Sequence, residues 1–284
     1  MSGAAFEGLG GMLEQPSDEG YEPGHSVDQG LVQRLLEPLT DPRPTTYYRE
    51  PDALRKAFNE RVGRAAGLLH GEEIPDANAL IEAVLSGTTR YIENMPCGRM
   101  DDIIGPLIQA LYTRGHNDFF VDYRLLEKPE QEFDPTSHLA GTANRPLRAT
   151  VAALRPGWFG AYTDYCTLRL MGDAEMAGAY AKNSEFEIDG SMILPGKRAD
   201  SCVFRLKRFG KYDKHSSVDH CPPQSCVVYV EEEPDSSLLL NLDLQGFFFW
   251  HGAWENTLYA YEGEETKRFL WFEWKKERWK EVRP

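Results

Sequence analysis

The sequence predicts an α+β chain in which a small helical domain, residues 27–117, precedes a β-solenoid, residues 118–263, with rungs of about 18 residues. Stretches opening at Gly160, Gly178 and Gly196 recur at an interval of 18 residues. In each, the leading Gly is followed six residues later by a small side chain, Cys166, Ser184 or Cys202. Apolar residues then alternate, as Leu168 and Leu170, Phe186 and Ile188, Phe204 and Leu206. Period two means a strand with one buried face. A fixed repeat with one short strand per copy is satisfied by stacking the copies, each burying its apolar face against the next.

Taken in order, residues 1–26 are rich in Gly, Glu, Ser and Pro without periodicity, and are expected to form a flexible arm. A helix is expected from Val27 to about Glu37, ended by Pro38. The next opens at Glu50-Pro51-Asp52, with Pro in the first turn, and runs on through Leu54, Phe58, Val62 and Ala66. A third spans roughly Asp76 to Asn94, and a fourth Met100 to Arg114, with Ile103, Ile104, Leu107, Ile108 and Leu111 as a broad apolar stripe. From Asp118 to Leu126 the spacing returns to two, with Phe119, Val121 and Tyr123 on one side. This strand and the helices before it are expected to cover the open end of the stack, whose terminal rung otherwise exposes unpaired backbone. Leu147 to Leu154 is the expected first rung.

Beyond the three copies, Cys226, Val228 and Val230 repeat Cys202, Phe204 and Leu206 after a longer step, so a polar loop, 211–225, is inserted and should project. Leu238, Leu240, Leu242 and Leu244 alternate in the manner of another rung. Asn256 to Gly263 reproduces Asn183 to Gly190, nearly four periods further along the chain. The tail, 264–284, reads as an aromatic cap or helix. As a helix it aligns Trp271, Trp274 and Val282; as a strand it alternates Phe269 and Trp271 before a helical tail. Trp271, Trp274 and Trp279 either pack on the last rung or form a partner-binding surface.

The segment Gly172 to Gly190 resembles the short right-handed β-helices with a Gly-x-Gly-x-Gly repeat, found at the C-terminal end of the glutamate synthase large subunit and in the formylmethanofuran dehydrogenase C subunit. The likeness covers about 60 to 120 residues, and departs from the family where Arg208 and Lys197-Arg198 replace glycine or small residues. The β-helices of cyclase-associated protein and tubulin cofactor C are similar in rung length and in their Cys or Asn-Ser rung starts. The resemblance implies a right-handed solenoid that bears structure or interactions, with no catalytic residue to carry over.

Composition narrows the partners. A net charge of −14 argues against a general nucleic-acid binder and against an anionic membrane surface. No apolar run approaches the ~18 residues of a membrane span and the N-terminus lacks a basic secretory start, so a cytoplasmic location is expected. Five cysteines, three at equivalent rung positions, read as reduced core residues.

The strongest chemical grouping is His215, His220, Cys221 and Cys226, nitrogen and sulfur ligands of the kind that hold zinc. Their spacings are not those of standard fingers, and Cys226 shares the inward register of Cys202, so the expectation is no cofactor, with zinc in this loop as the alternative. Cys97 with His116 or His70 is a conceivable nucleophilic pair. Asp189 with Asp173 or Lys207 is a conceivable glycosidase site, but the neighbouring Arg169, Glu187 and Arg205 suit charge pairing between rungs better. Glu231 to Asp235 reads as a solvated turn. No phosphate loop, dinucleotide fingerprint or His-Glu-x-x-His is present. The function expected is therefore a non-catalytic scaffold or interaction protein, with a protein partner or a homo-oligomer; the alternative is a hydrolase acting on carbohydrate or using a metal in the 211–226 loop.

Overall fold

The structure, a computed structural model, describes residues 27–37, 51–88, 101–125, 136–153, 158–210, 223–244, 247–250, 253–254, 256–269 and 272–283. It is α+β, with a group of helices followed by a mixed sheet of ten strands that does not close on itself. Helix α1 (Gln29–Leu36) opens on Asp28, whose carboxylate accepts from Gly30 N at 2.8 Å. Helix α2 (Pro51–Leu69) starts at the proline, and α3 (Ala77–Thr88) is capped by Asp76, which accepts from Asn78 N and Ala79 N at 2.9 and 3.0 Å. Helix α4 (Asp101–Thr113) carries the apolar stripe Ile104, Leu107, Ile108 and Leu111, all buried. The arm 1–26 and the expected end of the third helix, up to Asn94, lie outside the described residues.

The principal run of strands is β1 (Asp118–Asp122), β2 (Leu147–Ala152), β4 (Cys166–Met171), β6 (Glu185–Pro195), β7 (Val203–Phe209), β8 (Val227–Val230), β11 (Thr257–Phe269) and β12 (Phe272–Val282), while β9 (Phe249–Trp250) and β10 (Ala253–Trp254) form a separate antiparallel pair. Every neighbouring pair is parallel except β11 with β12. The register stacks Phe119, Ala149, Leu168, Phe186, Phe204, Val228 and Leu258 in one column, none more than 3% exposed. Val121, Val151, Leu170, Ile188, Leu206, Val230 and Ala260 form the next. Burying each larger side chain contributes about 1.5–3 kcal/mol, which makes these columns the main cohesion of the sheet.

Two further parallel ladders share the same step. Strands β3 (Trp158–Phe159) and β5 (Ala174–Ala177) join the second half of β6, with Trp158 on Met176 and Met176 on Leu194. Isolated bridges link Ala140, Asp164, Lys182, Asp200 and Gln224 in turn. Backbone turns recur with them: His138, Tyr162, Tyr180 and Arg198, and again Tyr165, Asn183, Ser201 and Ser225, have φ between 48° and 65°. Gly190 lies where β6 passes from one ladder to the other, and a Cβ there would stand 2.3 Å from Gly172 O, so only glycine fits.

Helices α3 and α4 cover the starting edge. Asn78 Oδ1 accepts from Phe120 N at 2.9 Å on β1. The Gln109 amide on α4 accepts from Ala140 N at 2.8 Å and donates to Ala140 O at 3.0 Å, which supplies the pairing that a preceding bridge would give. Tyr112 OH donates to Arg145 O at 2.5 Å, and Arg145 Nη2 donates back to Tyr112 O at 2.7 Å.

Three expectations need correction. Leu238 to Leu244 belongs to a helix, α5 (Ser236–Leu244), capped by Asp235, which accepts from Leu238 N at 2.8 Å. Leu242 is buried and Leu240 is 55% exposed, because residues two apart on a helix point to nearly opposite sides. The last copy is shifted by one: through the registers of β6, β7, β8 and β11, Asn256 lies on Ser184 rather than on Asn183. That slip matters, since it decides that Leu258 and Ala260 face inward and Tyr259 and Tyr261 outward. Finally, the tail is a strand rather than a helix over Phe272–Val282, paired antiparallel with β11.

Candidate functional site

His215, His220 and Cys221 of the inserted loop lie outside the described residues, as do Cys97 and Trp271. Cys226 is buried at the start of β8, where its Sγ donates to Gln224 O at 3.2 Å and accepts from Cys202 N at 3.4 Å. Among the described residues, no group of three or more His, Cys, Asp and Glu is arranged to hold a metal ion.

Cys226 is one member of a ladder that includes Cys166, Ser184, Cys202 and Asn256. The Sγ or Oγ of each Cys and Ser donates to the carbonyl two residues before it: Cys166 to Asp164 at 3.4 Å, Ser184 to Lys182 at 2.7 Å, and Cys202 to Asp200 at 3.3 Å. The same side chains serve the adjoining strand, as Cys166 N donates to Ser184 Oγ at 3.1 Å and Cys226 N to Asn256 Oδ1 at 2.9 Å. Asn256 Nδ2 donates to Pro223 O at 2.9 Å and Phe247 O at 2.6 Å, closing the ladder. Burial pushes the Cys166 thiol up to about 12, and the adjacent Cys202 together with burial raises that of Cys226. At Cys166 and Cys226 the thiolate, the nucleophilic and metal-binding form, is thereby disfavoured, whereas the hydrogen bond with Cys226 lowers the Cys202 thiol.

The carboxylates of the conceivable glycosidase site are also engaged. Asp189 meets Arg169 Nη2 at 2.7 Å and Lys207 Nζ at 3.8 Å, and Asp173 accepts from Ser191 N and Oγ at 2.7 and 2.9 Å. Glu187 stands 3.7 Å from Arg169, and Glu185 3.3 Å from Arg205. Opposite charges thus alternate along the sheet face as the sequence suggests.

At the far end of the sheet the outward face becomes aromatic. Tyr229 and Tyr259 are register partners with stacked rings 5.2 Å apart, and Trp279 stands edge-on to Tyr229 at 5.1 Å and to Tyr261 at 5.3 Å. The Arg205 guanidinium lies 4.6 Å from the centre of the Tyr229 ring. Burial and then Glu281 raise the Tyr259 phenol, and burial followed by Glu264 raises that of Tyr261, so both remain neutral hydrogen-bond donors. Trp279 Nε1 donates to Glu277 at 3.1 Å. Of the predicted tryptophans, Trp279 joins this cluster and Trp274 lies in β12 opposite Lys267. Tyr229, Tyr259, Tyr261 and Arg205 were not predicted; their signal is the outward parity of aromatic residues between inward Val228, Val230, Leu258 and Ala260.

A second ring column runs along the turns, with His138 stacked on Tyr162 at 4.7 Å and Tyr162 on Tyr180 at 4.8 Å. Phe58 of α2 packs against His138 at 5.6 Å, so the column ties the helices to the sheet. Burial, then repulsion from Arg55 and Arg61, lowers the His138 imidazole to about 4. Among the described residues no helix is long and apolar enough to cross a membrane. The chain matches no protein-family model, no curated protein and no solved structure.

Proposed function

We propose that this protein is a non-catalytic scaffold, a right-handed β-solenoid that serves in the cytoplasm as a subunit of a larger complex and engages a protein partner through its C-terminal aromatic face. The solenoid reading is supported by three parallel ladders that advance by a common step, 18 residues between Cys166 and Ser184 and again between Asp173 and Ser191, broken only by insertions. Right-handedness follows the rule for parallel crossovers. The observation that carries the scaffold reading is the half-exposed cluster Tyr229, Tyr259, Tyr261 and Trp279 at one end. Rings with polar tips beside an arginine are the composition of interaction hot spots. Elsewhere among the described residues, the buried Cys166, Cys202 and Cys226 and the Asp173 and Asp189 carboxylates are held in structural contacts.

The test is purification of the intact protein from its native cells, with metal analysis of the same sample and a Trp279→Ala comparison. The expected result is a stoichiometric partner that Trp279→Ala loses while circular dichroism is unchanged. Recovery of the protein alone with one zinc per chain, lost on Cys221→Ser, replaces this reading with a metal-dependent enzyme.

A further inference from the structure

We infer that the outer edge of β12 takes an extended acidic segment of a partner protein, which adds to the sheet as a further strand and places carboxylates opposite Lys276, Arg278 and Lys280. The inference rests on the interaction reading above and names the chemistry of the partner. Strand β12 ends the order of the sheet, and among the described residues no strand lies on its outer side. Such an edge presents a row of backbone donors and acceptors ready for strand addition. Strand β8 pairs only with Thr257–Ala260 of β11, whereas β12 follows β11 as far as Phe269. Among the described residues the far part is consequently a two-stranded ribbon, which in water is marginal alone and gains from a third strand.

Charge identifies the occupant. Residues 264–284 carry seven Lys and Arg against five Glu, in a chain of net charge −14. Alternation along a strand sends Lys276, Arg278 and Lys280 to one face, and all three are exposed. Arg278 meets Glu262 at 3.1 Å and Lys280 meets Glu233 at 4.0 Å, while Lys276 is the register partner of Glu265. These acidic partners lie on the inner side of β12, and an added strand would extend the same alternation outward. A second copy of this chain does not fit. Two-fold antiparallel pairing sets each residue opposite one of the same parity, and every register centred from Lys276 through Lys280 opposes like charges. One centred on Arg278 puts it against itself and Lys276 against Lys280; one centred on Trp279 puts Arg278 against Lys280 and Glu277 against Glu281. Like charges directly opposite destabilise a sheet. A strand with Glu or Asp at alternate positions meets all three cations, and its intervening apolar residues face the Trp279 side.

The probe is a blocked peptide, Thr-Glu-Val-Glu-Val-Glu-Thr, titrated into the full chain while backbone amide signals and tryptophan fluorescence are followed. The expected result is saturable binding with shifts and exchange protection along residues 272–282, weakening several-fold between low and moderate salt. Lys276→Gln with Lys280→Gln, which leaves the Arg278 pair intact, should weaken it about tenfold. Reversal of all three cations to Glu should transfer the preference to the Lys version of the peptide. Equal binding of a block peptide of the same composition, or of a single-stranded oligonucleotide, reduces the effect to bulk charge and overturns the inference. A concentration-dependent dimer protected along β12 overturns it in favour of self-pairing. Retention of a Trp279-sensitive partner from cells with no peptide binding leaves the scaffold reading standing and removes strand addition.

Discussion

His138 links the helices to the sheet through a ring stack in which burial and nearby arginines favour the neutral imidazole, and this makes the fold sensitive to acid in a defined window. The ring lies between Phe58 at 5.6 Å and Tyr162 at 4.7 Å, with the Arg55 and Arg61 charges on the same helix as Phe58. Burial first, then those arginines, lower its pKa from 6.5 to about 4. Because the folded value lies below the unfolded one, the unfolded chain takes up the proton first as pH falls. Stability from this residue is therefore fully present above about pH 6.5, declines between 6.5 and 4, and is gone below about 4. At 1.36 kcal/mol per unit, and with the ring half-buried, the loss is about 2–3 kcal/mol. His138→Phe keeps a ring in the stack and removes the titration. Urea unfolding of both proteins at steps from pH 7 to pH 4 isolates the effect, since the carboxylates common to both cancel in the difference. The wild type should lose about 2–3 kcal/mol relative to the variant across that range. A constant difference, or an imidazole resonance that titrates near 6.5 in the folded protein, would refute the reasoning.

Ser184→Ala leaves Cys166 N without its buried acceptor and should cost about 1–3 kcal/mol in chemical denaturation, whereas Ser184→Cys, which restores the side chain used at neighbouring strands, should cost clearly less. Gln109→Ala removes both bonds to the Ala140 peptide; a similar loss of about 1–3 kcal/mol and faster amide exchange at Ala140 are expected, and unchanged exchange there would show that the edge is closed by something else. Gly190→Ala drives a methyl group into the Gly172 carbonyl and should destabilise by more than about 2 kcal/mol. By contrast, Gly63→Ala in α2 meets open space and should raise stability by about 0.5–1 kcal/mol, measured as a shift in the denaturation midpoint.

The columns at Leu168, Phe186 and Phe204 were legible because two periods coincide in one stretch: alternation shows the strand, and recurrence shows its partner. Both weaken beyond Val230. Asn256 follows Cys226 by 30 residues where Ser184 follows Cys166 by 18, so recurrence no longer sets the register of β11. The asparagine common to Asn183 and Asn256 then drew the alignment one place off. The chemistry of the buried ladder resolves it. Cys, Ser and Asn share a small side chain able to accept from the next strand while donating locally, so Asn256 belongs with Ser184 and the cysteines rather than with the exposed Asn183. Leucine alternation from Leu238 to Leu244 was ambiguous for a different reason, since two apolar faces and a helix with apolar residues four apart produce the same letters. Pro234 and the capping Asp235 were the discriminating signal. Once the register of β11 is right, parity alone turns Tyr259 and Tyr261 outward beside Tyr229 and leaves Leu258 in the core. The aromatic face is thus a consequence of register. A search for clustered residue types misses it, because β8 and β11 are parallel strands held apart by a long insertion and β12 folds back antiparallel. The same parity places Trp279 among those rings and the three cations of β12 on the other face, so one strand presents an aromatic side and a cationic side at an edge that no strand covers among the described residues. A surface divided in this way would discriminate between partners by the alternation of their residues as well as by their net charge.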